Sequence, residues 1–346
     1  MKKIILVFIM FLFSSNVYAT VVVVDQDTNR ILYGKEEQEV RLIASTTKIM
    51  TAMVVINNTD IKEVIKCDEN ILRSYGSGIY IEIGEEISIE DLLYGLMLRS
   101  GNDAAIALAT HVGGSEEGFV ILMNELAASL GMTNTKFVNA SGLDDELGNG
   151  NTSTAYDLAK LMSYAMQNET FRTITSTKRK VVKTNYKTYD WYNKNKLLST
   201  YEYTTGGKTG YTKKAYRTLV TSATKDNKNL VVVTLNQKDD FLIHKSLYEE
   251  YFKKYKLVNI IDSKTYLHEE GMYVEKDFNM LLSDDEINKV KVEVKYTNDA
   301  IDRIGYVTVS LDGNIYFEEN IYMIEEKDDN LTLVERIINF FKNIFN

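Results

Sequence analysis

The sequence contains no proline and a single cysteine, and each shortage limits what the chain can be. With Cys67 as the lone thiol, an internal disulfide is excluded, and we expect a small buried or half-buried side chain rather than a reactive one. The histidines, His111, His244 and His268, are far apart and lack ligand-like neighbours, so we expect no metal site and no cofactor. Without proline, turns must be formed by glycine, asparagine and aspartate.

Basic residues are fewer than acidic ones. The sequence has 40 Lys and Arg against 49 Asp and Glu, so its formal net charge is −9. A protein that binds phosphate backbones needs a basic face, so this balance argues against nucleic acid as a partner. The 346 residues, 45% of them apolar, are enough for one large domain with its own core and a smaller second domain.

Residues 1–19 have the pattern of a signal peptide. Lys2 and Lys3 form a positive start, residues 4–13 form an apolar run, and the segment ends in Val17-Tyr18-Ala19. The run is too short to span a bilayer comfortably. We expect cleavage after Ala19. The alternative is an uncleaved anchor, and in both cases the protein is exported.

Residues 20–257 are predicted to form one α+β domain, with strands at both ends of the segment and helices between them. Val21 to Val24 and Ile31 to Tyr33 indicate a hairpin, and a buried helix begins at Ser45. Apolar periodicity predicts further helices over 89–99, 104–112, 118–130, 154–168 and 245–255. Strands are predicted at 181–182, 187–191, 206–211, 218–223 and 230–235. This order favours one antiparallel sheet flanked by a helical cluster.

Two further segments follow. Residues 258–324 are predicted to form a small all-β domain, because Lys289 to Lys295 alternates between apolar and charged side chains. Residues 325–346 are predicted to be an acidic linker and an amphipathic helix. Val334, Ile338 and Phe341 fall on its apolar stripe, which suits the surface of a membrane. The alternative is a helix docked onto its own domain.

Three short motifs carry the chemistry: Ser45-Thr-Thr-Lys48, Ser100-Gly-Asn102 and Lys208-Thr-Gly210. Each is common by chance, and Ser222-Ala-Thr-Lys225 repeats the first motif at the end of a strand, where its lysine would be solvated. Their order and context are informative, because Ser45 opens a buried helix, Ser100 lies between two helices, and Lys208 lies on a late strand. The combination indicates a serine acyl-transferase that handles β-lactams or D-Ala-D-Ala peptides.

Serine is a poor nucleophile until a base takes its proton. Residues three apart on a helix face the same way, so Lys48 should lie beside Ser45. A lysine acts as a base only when it is neutral, and burial or a nearby positive charge, which Lys208 could supply, lowers its pKa. The position of Ser45 at a helix start also turns its backbone N–H toward a ligand, as half of an oxyanion hole.

At this point the chain resembles the D-alanyl-D-alanine carboxypeptidases among the low-molecular-weight penicillin-binding proteins. The resemblance runs from Val21 to about Tyr255 and includes whole blocks around the motifs. The blocks are Ala44-Ser-Thr-Thr-Lys-Ile-Met-Thr-Ala52, Arg99-Ser-Gly-Asn-Asp-Ala-Ala105, Asn139-Ala-Ser-Gly-Leu-Asp-Asp145, Ser153-Thr-Ala-Tyr-Asp157, Asn193-Lys-Asn-Lys-Leu-Leu198 and Gly207-Lys-Thr-Gly-Tyr-Thr212. It implies a penicillin-binding/β-lactamase-like transpeptidase fold, a small C-terminal β-domain and a final membrane helix.

The resemblance implies that stem peptides of peptidoglycan ending in D-Ala-D-Ala are the substrates and that β-lactams are inhibitors. Ser45 would form the acyl-enzyme, with Lys48 as its base. Ser100 would pass a proton to the leaving D-Ala, and Asn102 would hydrogen-bond the substrate amide. The remaining implied roles concern the late strand. There, Lys208 and Thr209 would hold the terminal carboxylate, Gly210 would admit the substrate backbone, and the N–H groups of Ser45 and Tyr211 would form the oxyanion hole.

One departure from the family pattern concerns the carboxylate. Relatives often have an arginine shortly after the strand that follows the Lys-Thr-Gly strand, whereas this chain has Lys238, His244 and Lys245 there. Another cation therefore has to substitute, or carboxylate affinity is weaker.

Two alternatives to the carboxypeptidase are open. A class A-type β-lactamase would need a Glu-x-x-Leu-Asn pattern, which Glu169-Thr-Phe-Arg172 does not match. A catalytically silent peptidoglycan binder is the other. For the enzyme, the resemblance implies a place on the outer face of the cytoplasmic membrane.

Overall fold

A computed structural model describes residues 19–145, 147–268, 271–297 and 303–324. The predicted signal peptide up to residue 18 and the predicted linker and helix over 325–346 lie outside these residues. The strands are β1 (Thr20–Asp25), β2 (Ile31–Lys35), β3 (Arg41–Leu42), β4 (Val64–Lys66), β5 (Glu86–Ser88), β6 (Thr152–Ser153), β7 (Arg179–Lys183), β8 (Thr188–Tyr192), β9 (Thr204–Thr212), β10 (Tyr216–Lys225), β11 (Lys228–Leu235), β12 (Lys256–Ile261), β13 (Met272–Tyr273), β14 (Phe278–Leu282), β15 (Lys291–Tyr296), β16 (Arg303–Leu311) and β17 (Asn314–Met323).

Every predicted helix is present with different bounds, and two short helices, α6 and α7, were not predicted. They are α1 (Lys48–Asn58), α2 (Ile89–Tyr94), α3 (Asn102–Gly113), α4 (Glu116–Ser129), α5 (Ala155–Ala165), α6 (Glu169–Ser176), α7 (Leu197–Thr200) and α8 (Asp240–Lys254). Short 3₁₀ turns cover Ala44–Thr47, Glu69–Arg73 and Ile287–Lys289, and a π-helical turn covers Gly95–Arg99. None of the helices in the described part of the chain has both the length and the apolar character needed to cross a membrane.

The main sheet is antiparallel and has the strand order β2-β1-β11-β10-β9. Both of its faces are covered, which is why Val21 to Val24 are all apolar instead of alternating with polar residues. Val22 and Val24 belong to the larger core shared with the helical cluster, whereas Val23 points into a second core beneath α8. The strand β9 lies at one edge of this sheet and carries the Lys208-Thr-Gly210 motif.

The helices begin where side chains can satisfy their first N–H groups. The hydroxyls of Ser88, Ser115 and Thr154 accept from the backbone three residues on, at the starts of α2, α4 and α5. The same device starts α6, where Asn168 Oδ1 accepts from Phe171 N.

The sequence analysis missed α6, because this eight-residue helix is rich in threonine, which has a low helix propensity. The cap on Asn168 and the burial of Phe171 and Ile174 hold it. Thr175 then joins α6 to β9, since its hydroxyl lies 2.9 Å from Gly207 N and 3.2 Å from Gly207 O.

One strand prediction needs a correction. The strands β7 and β8 do not join the main sheet but pair with each other as a separate hairpin. Tyr189 and Trp191 are buried on the helical side, where Trp191 approaches Gly95 and the Tyr189 hydroxyl donates to Glu85. Period-2 patterning predicts a strand but not which partner it pairs with, so the hairpin was wrongly placed in the main sheet.

After α8, the described residues form strands, turns and one short 3₁₀ turn, with a core of their own. The strands pair as β12-β14 and as β13-β17-β16-β15, all antiparallel. This pattern agrees with the predicted all-β character of this part, whereas the boundary between residues 257 and 258 stays a prediction.

Arg30, in the loop between β1 and β2, connects the main sheet to the C-terminal strands. Its guanidinium donates to Glu286 Oε1 at 2.8 Å and to the carbonyl of Leu281, and it lies over the ring of Tyr255. Beside it, Leu281 N donates to the buried carboxylate of Asp25. The Arg30 side chain is 6% exposed and that of Glu286 18%, so the contact is largely shielded from water.

We predict that Arg30→Ala lowers the free energy of unfolding by about 2–4 kcal/mol, because it leaves a shielded Glu286 carboxylate without its partner. Urea unfolding of the two proteins measures the difference. Arg179→Ala is the matched control, since Arg179 pairs with Asp190 in solvent and such pairs contribute little. An equal and small effect of both substitutions would contradict the structural role of Arg30.

Candidate active site

The first two motifs meet at the start of α1. Ser45 lies in the 3₁₀ turn Ala44–Thr47, just before the helix, and is partly exposed. Lys48 is fully buried, and its Nζ lies 3.2 Å from Ser45 Oγ and 2.8 Å from Asn102 Oδ1; Nζ also contacts the carbonyl of Ser141. A neutral amine has two N–H donors and one lone pair. The two N–H groups can donate to Asn102 Oδ1 and the Ser141 carbonyl, and the lone pair can accept from the Ser45 hydroxyl.

Burial is the main cause that lowers the pKa of Lys48 to about 7, and the positive charge of Lys194 lowers it further, against the opposing effect of Asp103. The sequence analysis named Lys208 as the neighbouring charge; the two amines do repel each other, and this repulsion lowers the pKa of Lys208. Near neutral pH, a large fraction of Lys48 is therefore in the form that can accept a proton.

The backbone around Ser45 is tightly constrained. Ala44 has a φ of 48°, in the left-handed region that alanine rarely adopts. Gly142, with a φ of 83°, packs against the Ala44 carbonyl so closely that a side chain there would collide with it. Asn139 Oδ1 accepts from Gly142 N at 2.7 Å and so fixes this loop. Strain of this kind persists only where the surroundings hold it, and it fixes the direction of Ser45.

The second motif lies where the sequence predicted, between two helical segments. Ser100 is buried and has a φ of 64°, and it joins the π turn to α3. The Asn102 amide donates to Tyr75 O at 2.5 Å while its oxygen accepts from Lys48, so Asn102 links the Tyr75 loop to the base. Among the described residues, no hydrogen bond joins the Ser100 hydroxyl to this network.

The side chain of Asp103 holds the loop over residues 77–81, which lies beside the second motif. Its buried carboxylate accepts from the backbone N–H groups of Ile79 and Tyr80, at 3.0 and 2.6 Å. Lys194 approaches the same loop, since its Nζ lies 3.3 Å from Ser77 Oγ, and the Ser77 carbonyl in turn accepts from Asn102 N. Sequence analysis assigned no role to Asp103 or Lys194, although both lie inside blocks that it quoted.

The third motif brings β9 against the nucleophile. A Cβ atom on Gly210 would lie 2.9 Å from Ser45 N and would collide with the Thr218 hydroxyl. The chain itself therefore requires glycine here, in addition to the space for a ligand that the sequence analysis inferred. Thr209 is partly buried, and Tyr211 is exposed at the free edge of the sheet.

Lys208 is buried and donates to the carbonyl of Thr209 at 2.6 Å. Burial, followed by the charges of Lys48 and Lys194, holds the pKa of Lys208 well below its ordinary value. The repulsion between these two buried amines disfavours the state in which both are protonated, and a bound anion would reduce it. No hydrogen bond between described residues ties Lys208 to Ser45 or Ser100.

Other candidate groups lie outside this site. Burial raises the pKa of the Cys67 thiol to about 12, so this cysteine is inert, as expected. In the described ranges, no cluster of His, Cys, Asp or Glu side chains could hold a metal ion. Ser222 of the repeated motif bonds Thr205 within the sheet. Glu169 lines a surface depression with Lys62 and Glu90.

Comparisons with known proteins agree with this geometry. A family model described as D-alanyl-D-alanine carboxypeptidase matches residues 15–239. The chain is 36% identical over 218 residues to the D-alanyl-D-alanine carboxypeptidase DacF of Bacillus subtilis, a match that covers 61% of this chain and 55% of that protein. It is 38% identical over 227 residues to the D-alanyl-D-alanine carboxypeptidase of a Streptomyces species, strain K15, covering 60% and 77%. The match thus spans about half the length of DacF.

The crystal structure of penicillin binding protein 5 from Haemophilus influenzae is similar over 89% of this chain and 96% of that chain, with a TM-score of 0.73. The sequence identity is 24%, so this likeness establishes the fold alone. It confirms the predicted fold class of mixed helix and sheet in a penicillin-binding-type arrangement.

We predict that Lys194→Gln shifts the rise of Ser45 reactivity with pH to higher pH. Removing a neighbouring positive charge favours the protonated form of Lys48, so the pKa of Lys48 rises above about 7 and less of it is neutral at pH 7. The rate of acylation by benzylpenicillin, measured from pH 5 to 10, should fall severalfold at pH 7 and recover in alkali. The exposed Lys196→Gln is the control, and a pH-independent loss in Lys194→Gln would indicate a merely structural role.

Proposed function

This chain belongs to the D-alanyl-D-alanine carboxypeptidase family, and we propose that it removes the terminal D-alanine from peptidoglycan stem peptides through an acyl-enzyme on Ser45. The observation that carries the proposal is the 3.2 Å approach of the buried Lys48 amine to the Ser45 hydroxyl. Membership in the family favours this activity over a β-lactamase or a silent binder.

The first step is attack on the carbonyl carbon of the penultimate D-alanine. Neutral Lys48 takes the proton of Ser45 Oγ, while its two N–H groups stay bonded to Asn102 Oδ1 and the Ser141 carbonyl. The Oγ–C bond forms and the carbonyl oxygen becomes an oxyanion. The backbone N–H groups of Ser45 and Tyr211 stabilise that charge, and the closeness of Gly210 to Ser45 N supports this pairing.

Collapse of the intermediate breaks the C–N bond to the terminal D-alanine. The leaving nitrogen needs a proton, which Ser100 delivers from the protonated Lys48. Asn102 retains one amide N–H beyond its bond to Tyr75 O and offers it to the substrate amide. Water then attacks the ester on Ser45 and releases the shortened peptide, with Lys48 again as the base.

The terminal carboxylate is held by Lys208 and Thr209. Burial and two neighbouring lysines lower the pKa of Lys208, and an entering carboxylate opposes this effect by favouring the protonated amine. Benzylpenicillin carries an equivalent carboxylate and should acylate Ser45 and leave slowly.

We predict that Ser45→Ala takes up no benzylpenicillin and does not release D-alanine from a stem pentapeptide, because the nucleophile is gone. Intact mass over time and a D-alanine assay measure the two effects. Ser222→Ala is the matched control, since it removes a serine from the repeated motif within the sheet. We expect the control and the unmodified enzyme to carry one lasting adduct on Ser45.

Other outcomes would contradict this proposal. Full trimming by Ser45→Ala would exclude the serine mechanism. Rapid hydrolysis of the drug without a lasting adduct would favour the β-lactamase. Neither adduct nor hydrolysis in the unmodified enzyme would favour the silent binder.

We further propose that the enzyme is exported, with residues 1–19 as its signal peptide, and works on the outer face of the cytoplasmic membrane. The support is the sequence pattern alone: an apolar stripe with Val334, Ile338 and Phe341, following an acidic linker. An interfacial helix would keep the active site near nascent wall.

We predict that a chain ending at Asp329 appears in the soluble fraction with unchanged activity, because it lacks the apolar stripe but keeps the catalytic residues. Fractionation of cells that express each form, followed by an activity assay, measures this. A chain that substitutes Asn339→Gln on the polar side is the control and should stay with the membrane. Sedimentation of the shortened chain with membranes would refute the anchor.

A further inference from the structure

The chain lacks an arginine at the place where relatives often have one, and two of the three cations in that segment, His244 and Lys245, are engaged elsewhere. Lys238, the third, is exposed and is included in the test below. His244 is fully buried, with its ring nitrogens 2.7 Å from Thr221 Oγ1 and 2.9 Å from Thr234 Oγ1. Burial lowers the pKa of His244 to about 3, so the ring is neutral at physiological pH. The Lys245 ammonium lies 5.9 Å from the centre of the Tyr201 ring, just before the start of β9.

A different arginine faces the motif from the neighbouring strand. Arg217, on β10, is paired directly with Tyr211 on β9, and the next pairs along the ladder are Thr218 with Gly210 and Leu219 with Thr209. Opposed residues in an antiparallel pair point to the same face of the sheet, so Thr209, Tyr211 and Arg217 share one face. Thr209 is the diagonal neighbour of Arg217, a separation that a long side chain can bridge.

The Arg217 guanidinium is held in place. Its Nη2 donates to Asp240 Oδ1 at 2.7 Å and its Nε to Asp240 Oδ2 at 3.1 Å, and the ring of Phe241 lies 5.5 Å from the guanidinium carbon. Asp240 is only 3% exposed, whereas the Arg217 side chain is 42% exposed. A buried carboxylate at the start of α8 thus fixes a cation whose other side faces solvent.

The bond to Asp240 leaves most donors unused. A guanidinium has five N–H groups, and the two bonds to Asp240 take one from Nε and one from Nη2. Within the part of the chain that the structure describes, Nη1 has no hydrogen-bonding partner. The open N–H groups match the planar geometry of a carboxylate, which arginine binds better than lysine does.

We infer that Arg217, fixed by Asp240, is the carboxylate-binding cation of this enzyme and contacts the terminal carboxylate of the ligand beside Thr209. This inference rests on the proposed function and adds a specificity-determining residue to it. Lys208 and Arg217 then approach the carboxylate from opposite faces of β9, since neighbouring residues on a strand point to opposite faces. The requirement for a free carboxylate at the end of the substrate follows from this pair.

The test compares benzylpenicillin with its methyl ester, in which the carboxylate is masked. We predict that Arg217→Gln lowers the second-order rate constant for acylation of Ser45 by the acid about 30-fold, the effect of losing a hydrogen bond to a charged group. The rate with the ester should change less than about 3-fold, because the ester offers no charge to lose. Lys213→Gln, which removes an exposed charge from the turn between β9 and β10, should change neither rate.

Arg217→Gln leaves the Asp240 carboxylate buried and unpaired, which can impair folding. The double variant Arg217→Gln with Asp240→Asn removes both charges and should show the same selective loss with the acid. Thermal unfolding followed by circular dichroism shows which variants are folded. If the single variant is unfolded, the rates are compared with the double variant instead.

Each remaining result has a distinct meaning. An equal loss with acid and ester, or no loss, in a folded variant would overturn the role of Arg217. A selective loss with the acid in Lys238→Gln but not in Arg217→Gln would assign the carboxylate to Lys238 and also overturn it. Failure of the unmodified enzyme to form an adduct with either compound would instead refute the proposed function.

Discussion

The burial of the Lys48 amine is the constraint on which the rest of the site depends. The folded chain lowers the pKa of Lys48 from 10.5 to about 7, chiefly by removing it from water. Because the unfolded chain binds a proton that the folded chain does not, stability is lost as the pH falls from about 10 toward 7. Three polar neighbours of the amine offset part of this loss of stability. They are the Ser45 hydroxyl, the Asn102 side-chain oxygen on α3 and the Ser141 carbonyl.

The supports of the site are long-range contacts between elements that are far apart in the chain. Thr175 of α6 fixes Gly207 on β9, Gly210 allows β9 to approach Ser45, and Gly142 packs behind Ala44. In each case, either the absence of a side chain at a glycine or a short hydroxyl side chain lets two backbone segments lie close together. The positions of Ser45 and Lys208 relative to each other are therefore fixed by residues that do not take part in the chemistry.

The sequence could predict features that depend on local pattern. The hairpin of β1 and β2, the buried helix after Ser45 and the adjacency of Ser45 and Lys48 follow from period and spacing alone. It could not predict that Lys194 adds to the lowering of the pKa of Lys48, because nothing local places a lysine 146 residues away beside it. The separate hairpin of β7 and β8 and the helix α6 were missed because tertiary contacts outweigh propensity there.

The free edge of β9 has a consequence for how the molecule behaves at high protein concentration. An unpaired sheet edge invites strands from other chains, and proteins often block such edges with proline or with inward-pointing charges. Under the proposed function this edge has to stay open to an extended peptide, and proline or inward-pointing charges there would then exclude the ligand as well. Ser45 and α6 stand close to it, and Lys213 and Lys214 follow where the strand ends. If the proposal holds, resistance to self-association and access for the ligand depend on the same few backbone groups.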